Sequence, residues 1–234
     1  MMNRTGLVPP AALRLGVIAL TALILFSGAP TDASAQGRGG RGGIRVMQLT
    51  SSAFTDGGAI PDKHAQPGHD ASPPLSWSGA PDSTVSFVLI MRDIDAVSGD
   101  GTADVLHWMV WGIPGTMLSL PEGLPQGSIP VSAPVQVAGG PPGTAPAGGG
   151  GGRGAAAPQL RQLSVSGPYY RGPAAPANGP PHHYLFELYA LDANINIQAG
   201  IASTAVTRQA VWDAMKGRIR GKAVLMGTYR RAAP

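Results

Sequence analysis

The 234-residue chain is expected to fold as a mainly β protein with a helix near its C-terminus. Three observations point there. Four short apolar runs, rich in Val, Ile, Leu and Phe and bounded by Gly, Pro and Asp, have the length and composition of buried strands. One segment alone, Thr204 to Lys216, carries helix signals. No strand–helix alternation of the kind that builds a parallel sheet runs along the chain.

Taken in order, residues 1–35 read as a secretory signal peptide. Arg4 and Arg14 precede an apolar run from Leu15 to Phe26, and a small-residue stretch ends in Ala33-Ser34-Ala35. That is the charged, apolar and A-x-A order of an export signal. Twelve residues fall short of the about 20 that span a bilayer. A periplasmic or secreted location is therefore expected. Residues 36–45 form a flexible Gly/Arg-rich arm with arginines at 38, 41 and 45. Three arginines are few for an RNA-binding tract, so the expectation is a solvated linker and no nucleic-acid partner.

A single domain then spans 46–230. Val46 to Phe54 reads as an alternating first strand. Val85–Met91, Val105–Ile113, Tyr184–Leu191 and Lys222–Tyr229 are the four apolar runs, the second interrupted by His107 and Gly112. Between them lies a Gly/Pro-rich insertion at about 134–158, with nine Gly and five Pro in 25 residues. It has no apolar periodicity to offset its ordering entropy and is read as disordered. A second loop, Gly167 to Pro181, carries Tyr169, Tyr170, Arg171 and Asn178. The helix starts at Thr204 as N-cap, shares Val211, Ala214 and Met215 on one face, and stops at Lys216-Gly217.

Composition narrows the chemistry. There is no cysteine, which excludes a disulfide scaffold, a thiolate metal site and a thiol nucleophile. The formal net charge is +4, falling to +3 once the two arginines and one aspartate of residues 1–35 are removed. G-x-S-x-G, G-x-x-x-x-G-K-[ST] and H-E-x-x-H are all absent, so neither a catalytic motif nor a cofactor is indicated.

Polar groups that break the apolar strands are the candidates for function. Asp93 and Asp95 follow the strand ending at Met91, and period-two alternation places both on the face of Phe87, Leu89 and Met91. His107 lies inside its strand. His182 and Tyr184 share a face, with His183 opposite. Three readings stand: satisfied core and edge groups; a metal site of Asp93, Asp95, His107 and His182 serving a hydrolase or transferase; or an anion pocket. In the last, a carboxylate bonded to one imidazole nitrogen aims the other toward a ligand.

The segment Ile60-Pro-Asp-Lys-His-Ala-Gln-Pro-Gly-His-Asp-Ala-Ser-Pro-Pro-Leu-Ser-Trp77 resembles the signature of the phosphatidylethanolamine-binding protein family, I-P-x-x-(Y/F)-T-C-x-G-x-N-x-S-P-P-L-x-W. Further matches keep the family's order. They are Asp93-Ile-Asp-Ala96, His107-Trp-Met-Val-Trp-Gly-Ile-Pro114, Leu120-Pro-Glu-Gly123, Gly179-Pro-Pro-His-His-Tyr184, Leu188-Tyr-Ala-Leu-Asp192 and Leu225-Met-Gly-Thr-Tyr229. The bacterial branch is described as Raf-kinase-inhibitor-like.

The resemblance implies a large central antiparallel sheet, a smaller second sheet and a C-terminal helix. It implies a small cavity for phosphate-like anions or a phospholipid head group, lined by Asp93, His107, His182 and Tyr184, with Asp95 structural. It also implies a non-catalytic binding protein or inhibitor with weak membrane-surface contact. It specifies no protein partner, and an exported chain would not meet a cytosolic kinase. Departures fall at Ile94 and Val97, where the family has proline, and at His64, Gln66, Asp70 and Gly112, the last two replacing Asn.

Overall fold

A computed structural model describes residues 43–130, 159–198 and 203–233. The leader (1–35), most of the arm (36–45) and the insertion (134–158) lie outside the described residues. Among the described residues, ten strands and one α-helix form two sheets and a covering layer. The strands are β1 (Arg45–Val46), β2 (Gln48–Thr50), β3 (Leu75–Ser78), β4 (Ser86–Ser98), β5 (Ala103–Pro114), β6 (Ser119–Leu120), β7 (Ile129–Pro130), β8 (Gln159–Leu163), β9 (His182–Leu191) and β10 (Ile219–Tyr229). The helix α1 is Thr204–Met215.

The large sheet runs β1-β10-β9-β4-β5-β8-β7, and the small one β2-β3-β6. All pairs in the large sheet are antiparallel except β1 with β10, which makes it mixed. Its two faces bury separate cores, as expected for strands covered on both sides. Phe87, Leu89, Met91, Trp108, Val110 and Phe186 pack against Leu49, Leu75, Trp77 and Leu120 of the small sheet. On the other face Val88, Ile90, Leu106, Met109 and Trp111 meet Val211 and Met215 of α1. Trp77 and Phe87 stand edge to face at 5.5 Å, within the preferred range for aromatic pairs.

Two expectations are corrected. The first strand is not continuous from Val46 to Phe54: β1 joins the large sheet and β2 the small one, with buried Met47 at the crossing. A strand that changes sheets in this way makes a corner between two packed layers. The helix cap is Ser203 rather than Thr204, its side chain accepting the Val206 N–H at 3.4 Å. Thr204 is turned instead toward the carbonyl of Ser164.

The β4–β5 ladder carries three register shifts. Met91 pairs with Trp108 and Arg92 with Leu106, which leaves His107 as an extra residue without a partner. A bulge re-aims side chains locally. Leu106 faces the helix-side core, and Trp108 faces the other. A second shift lies at Gly112, whose φ of +75° suits glycine. The third lies between Asp93 and Val97, where the β4 side gains residues and the alternation of the strand ends.

Candidate functional site

β9 brings two of the candidate side chains to the small-sheet face by plain alternation. Tyr184, Phe186, Leu188 and Ala190 all belong to that core, so His182 shares their side. Asp93 sits opposite Tyr184 in the β4–β9 ladder. The bulge delivers His107 from β5, and its ring meets that of Tyr184 edge to face at 5.1 Å. Asp93, His107, His182 and Tyr184 thus converge at one end of the large sheet.

Asp93 is 3% exposed, and its carboxylate is well used. Oδ1 accepts the backbone N–H groups of Asp95 at 3.0 Å and Ala96 at 3.1 Å. Oδ2 lies 2.8 Å from His182 Nδ1 and 4.0 Å from His107 Nε2. The second distance is too long for a hydrogen bond. Asp93 therefore stands between two imidazoles but is bonded to only one.

The tautomers follow from the partners. His107 Nδ1 lies 2.8 Å from the carbonyl of Arg171, which can only accept, so Nδ1 carries the proton. The Arg171 N–H in turn donates to the His107 carbonyl at 3.0 Å, so this residue clamps His107 from both sides. His182 Nδ1 donates to Asp93 by the same argument. In the neutral form each ring is left with a lone pair on Nε2. Burial pushes the His107 pKa below its ordinary value, against the Arg171 carbonyl and the Asp93 charge, which act to raise it. Burial also pushes the Tyr184 phenol well above its ordinary value, and the Asp93 charge pushes the same way. Tyr184 keeps its proton while its oxygen accepts the Ala174 N–H at 3.3 Å. It is an O–H donor over the physiological range.

The remaining sequence candidates are placed elsewhere. Asp95 leaves the Asp93 face, because the register shift after Asp93 ends the period of two. Its Oδ2 takes both the backbone N–H and the Nδ1 of His183, at 2.6 and 2.7 Å. Those donors hold the Asp95 carboxyl below its usual range, although burial acts the other way. The four-residue donor set Asp93, Asp95, His107 and His182 is thus divided between two places. Among the described residues no three His, Asp or Glu side chains are grouped as metal ligands.

The long signature segment acts as scaffold for the loop that bonds His107 and Tyr184. His64 is buried and donates from Nδ1 to the Ala71 carbonyl at 2.8 Å. Tyr170 donates to the His64 carbonyl at 2.8 Å, and Gln66 Nε2 to that of Gly172 at 2.8 Å. Asp70 adopts a positive φ of 52° and receives the Gly172 N–H. A Cβ on Gly172 would come within 2.4 Å of the His64 carbonyl oxygen, so only glycine lets the two loops approach. The segment from Arg171 to Ala174, which bonds both His107 and Tyr184, is held by these contacts. Nothing in the sequence marked those backbone groups, since a peptide N–H or carbonyl looks alike at every position.

Comparison with known proteins bears on the family and the fold. A UPF0098 protein of Methanothermobacter thermautotrophicus is 34% identical over 186 residues, covering 79% of this chain and 99% of the relative. Another from Pyrococcus horikoshii is 30% identical over 225 residues, covering 96% and 93%. Among solved structures, a phosphatidylethanolamine-binding protein homolog of Chlamydia trachomatis is similar with a TM-score of 0.56 at 30% identity, covering 80% of this chain and 99% of that one. YbcL of E. coli, described as a member of the mammalian family, shares the fold with a TM-score of 0.56 at 22% identity, covering 79% and 98%. The profile of the phosphatidylethanolamine-binding proteins matches residues 50–230, and the chain belongs to that family.

Proposed function

We propose that this is an exported, non-catalytic binding protein whose pocket of Asp93, His107, His182 and Tyr184 takes a phosphate-like anion, free or as a phospholipid head group. The observation that carries the reading is the buried Asp93 carboxylate between two imidazoles, 2.8 Å from one and 4.0 Å from the other. Each imidazole spends its Nδ1 proton on the protein and keeps Nε2 for something else. Tyr184 adds a protonated O–H beside the Asp93 carboxylate, which a ligand oxygen would share or replace as its acceptor.

An anion needs donors, and neutral Nε2 offers a lone pair. Binding therefore takes up a proton on His107 or His182, or uses a hydroxyl of the phosphate group itself. Hydrogen bonding to the charged imidazole raises its pKa in the complex. The sign follows: affinity is greatest below the free-protein pKa and weakens as pH rises through the bound-state pKa. Asp93 stabilises the imidazolium yet repels the ligand, so affinity is modest, about −8 to −4 kcal/mol or micromolar to millimolar.

Histidine NMR titration with inorganic phosphate, run beside a divalent-metal titration, tests the reading. The His107 and His182 resonances should move with phosphate, and the His107 ring should titrate at higher pH in its presence. Unmoved resonances with phosphate, together with shifts on adding metal, would replace the anion pocket by a metal site. Vesicles against free phosphate separate the two sources of the anion. Sequencing of exported material should begin at about Gln36.

A further inference from the structure

The two pocket histidines are backed by different groups. His182 gives its Nδ1 proton directly to the Asp93 carboxylate at 2.8 Å. His107 gives its own to a neutral acceptor, the Arg171 carbonyl, also at 2.8 Å. A neutral acceptor makes the weaker bond of the two. The peptide unit that owns this carbonyl has a second partner. Its N–H is that of Gly172, and it donates to Asp70 Oδ1 at 2.5 Å. A trans peptide is planar with its C=O and N–H pointing in opposite directions, so one unit accepts on one side and donates on the other. His107, the Arg171–Gly172 peptide and Asp70 therefore form one unbroken chain of hydrogen bonds that ends on a carboxylate.

The signature segment fixes this chain at its far end. Asp70 stands at φ of 52°, and its own N–H is tied to the Ala65 carbonyl at 3.2 Å. Gln66 holds the next two carbonyls, that of Gly172 through Nε2 at 2.8 Å and that of Pro173 through its backbone N–H at 3.0 Å. A side chain at 172 has no room, because its Cβ would lie 2.6 Å from Asp70 Oδ1. At the near end the Arg171 N–H returns a bond to the His107 carbonyl at 3.0 Å. The peptide is held against both of its partners.

The other groups facing His107 come from three elements. From β4, Asp93 Oδ2 stands 4.0 Å from Nε2. From β9, Tyr184 meets the ring edge to face, and His182 occupies the same Asp93 oxygen. Burial lowers the His107 pKa, and the Arg171 carbonyl, the Asp93 charge and the Gly172 backbone act to raise it, while the Arg171 guanidinium adds to the lowering. Asp70 lies behind the two backbone groups. A carboxylate on the peptide N–H polarises the unit and makes its oxygen a stronger acceptor. By standard peptide and hydrogen-bond dimensions that charge is about 7 Å from the His107 Nδ1. At this range it changes a proton affinity about threefold even at the dielectric of water, and more inside a protein.

We propose that Asp70 is a positioning residue for His107, acting through the Arg171–Gly172 peptide to hold the Nδ1–H form and to make Nε2 the better proton acceptor when an anion arrives. Its purpose rests on the anion-pocket reading. Both pocket imidazoles are then backed by a carboxylate, His182 directly and His107 through one peptide, in the way that outer carboxylates tune histidines elsewhere.

Asp70→Asn separates charge from geometry, because asparagine suits the positive φ and its carbonyl oxygen still accepts the Gly172 N–H. The thermal midpoint should stay within a few degrees of the wild type. In NMR of the free protein the His107 ring should titrate at lower pH than in the wild type, with Nδ1 still protonated in the neutral form. The Nδ1 proton resonance should also move upfield as its bond weakens, which gives a readout even where the ring does not titrate before unfolding. His182, held by Asp93 directly, should titrate as before. Inorganic orthophosphate affinity by calorimetry should fall about threefold to tenfold at pH 7.5, and the loss should shrink toward pH 5.0, where protons are plentiful. Asp70→Gly also fits the positive φ but offers no acceptor, and should move the His107 titration at least as far. A His107 ring unmoved in both variants overturns the proposal. So does an affinity loss equal at both pH values, the mark of a distorted loop, or a shift of His182 as large as that of His107. Failure of the anion reading looks different: neither wild-type ring responds to orthophosphate, while Asp70→Asn still shifts free His107. In that case the anion is removed and the relay stands.

Discussion

Asp93 and Glu187 are both buried acids of the large sheet, on neighbouring strands and opposite faces, and their partners differ in kind. Glu187 is held by Lys222 Nζ at 2.6 Å, the Tyr189 hydroxyl at 3.0 Å and Arg92 Nη2 at 2.7 Å. The Arg92 contact to Oε2 is ionic rather than a well-aimed hydrogen bond. Arg92 continues to Asp104, and Asp104 to Arg208, so five charges run across the helix-side face. Burial works to raise the Glu187 pKa, but Lys222 and Arg92 outweigh it and hold it low. Asp93 has imidazoles, backbone amides and the neutral Tyr184 phenol, and no permanent cation. A carboxylate closed by permanent cations is a fixed structural charge. One closed by imidazoles, each with Nε2 uncommitted, can take up protons and a ligand.

The largest effect is expected where that contrast is broken from the structural side. Arg92→Met leaves Glu187 and Asp104 without their shared guanidinium, and breaking a buried pair by removing one partner costs about 3 kcal/mol. Urea unfolding should show this loss while phosphate affinity stays within about twofold, because Arg92 lies on the face opposite Asp93, against Glu187 and Asp104. A large loss of affinity would mean the two faces are coupled through β4. On the other face, His107→Ala or His182→Ala removes a charge-assisted bond worth about 1.5–3 kcal/mol, or ten- to hundredfold in phosphate affinity. Calorimetry checks it, and an unchanged affinity in both would remove the pocket from the binding event.

The faces should also separate by pH. His107 is buried with a depressed pKa, so the unfolded chain binds a proton that the folded one refuses once pH falls below about 6.5. Its contribution therefore lowers stability as pH drops through that value. Glu187 behaves in the opposite range: its stabilisation is complete above an ordinary glutamate pKa and fades only as pH falls through its lowered folded value. Stability measured from pH 8 to 4 should begin to fall near 6.5, and saturating phosphate should reduce the early part of that fall. A curve that phosphate does not alter would count against proton-coupled binding.

The strands that carry the site were readable as apolar runs because burial on both faces leaves a near-continuous hydrophobic signal. The irregularities that aim the site were not. Nothing in Val105–Ile113 says that His107 is the extra residue of a bulge, since a bulge is a property of two strands together. The division of Asp93 from Asp95 was hidden for the same reason. β8 was missed because Gln159-Leu-Arg-Gln-Leu163 has little apolar content, yet Gln162 is fully buried. Its amide accepts from Trp108 Nε1 at 2.9 Å and donates to the carbonyls of Pro125 and Gly127.

Two departures from the family pattern become intelligible in the backbone. Asp70 and Gly112 replace Asn and stand at φ of 52° and +75°, where Asn, Asp and Gly are the residues that fit. Gly112→Ala should therefore cost about 1–2 kcal/mol in conformation alone. Its Cβ would also meet the Gln159 carbonyl oxygen at 2.5 Å. Gly112→Asp should cost less than Ala in thermal unfolding if conformation dominates. Equal losses would assign the cost to the Gln159 contact.

The smallest expected effect tests whether neighbouring histidines can be told apart. His183 adjoins His182 in sequence but points to the other face, where its ring bonds Asp95 at 2.7 Å with both side chains about 40% exposed. An exposed pair of this kind contributes about 0–1 kcal/mol, because water screens it and two side chains must be ordered to form it. The Asp95 carboxylate also keeps the His183 backbone N–H at 2.6 Å after the ring is removed. His183→Ala should accordingly lower stability by less than about 1 kcal/mol. Phosphate affinity should change by less than about threefold, against the ten- to hundredfold of His182→Ala. The paired measurement is decisive because the two substitutions delete the same ring from adjacent positions. If His183→Ala weakened phosphate as much as His182→Ala does, the ligand would lie across the outer end of β9, against Asp95, and not between His182 and His107.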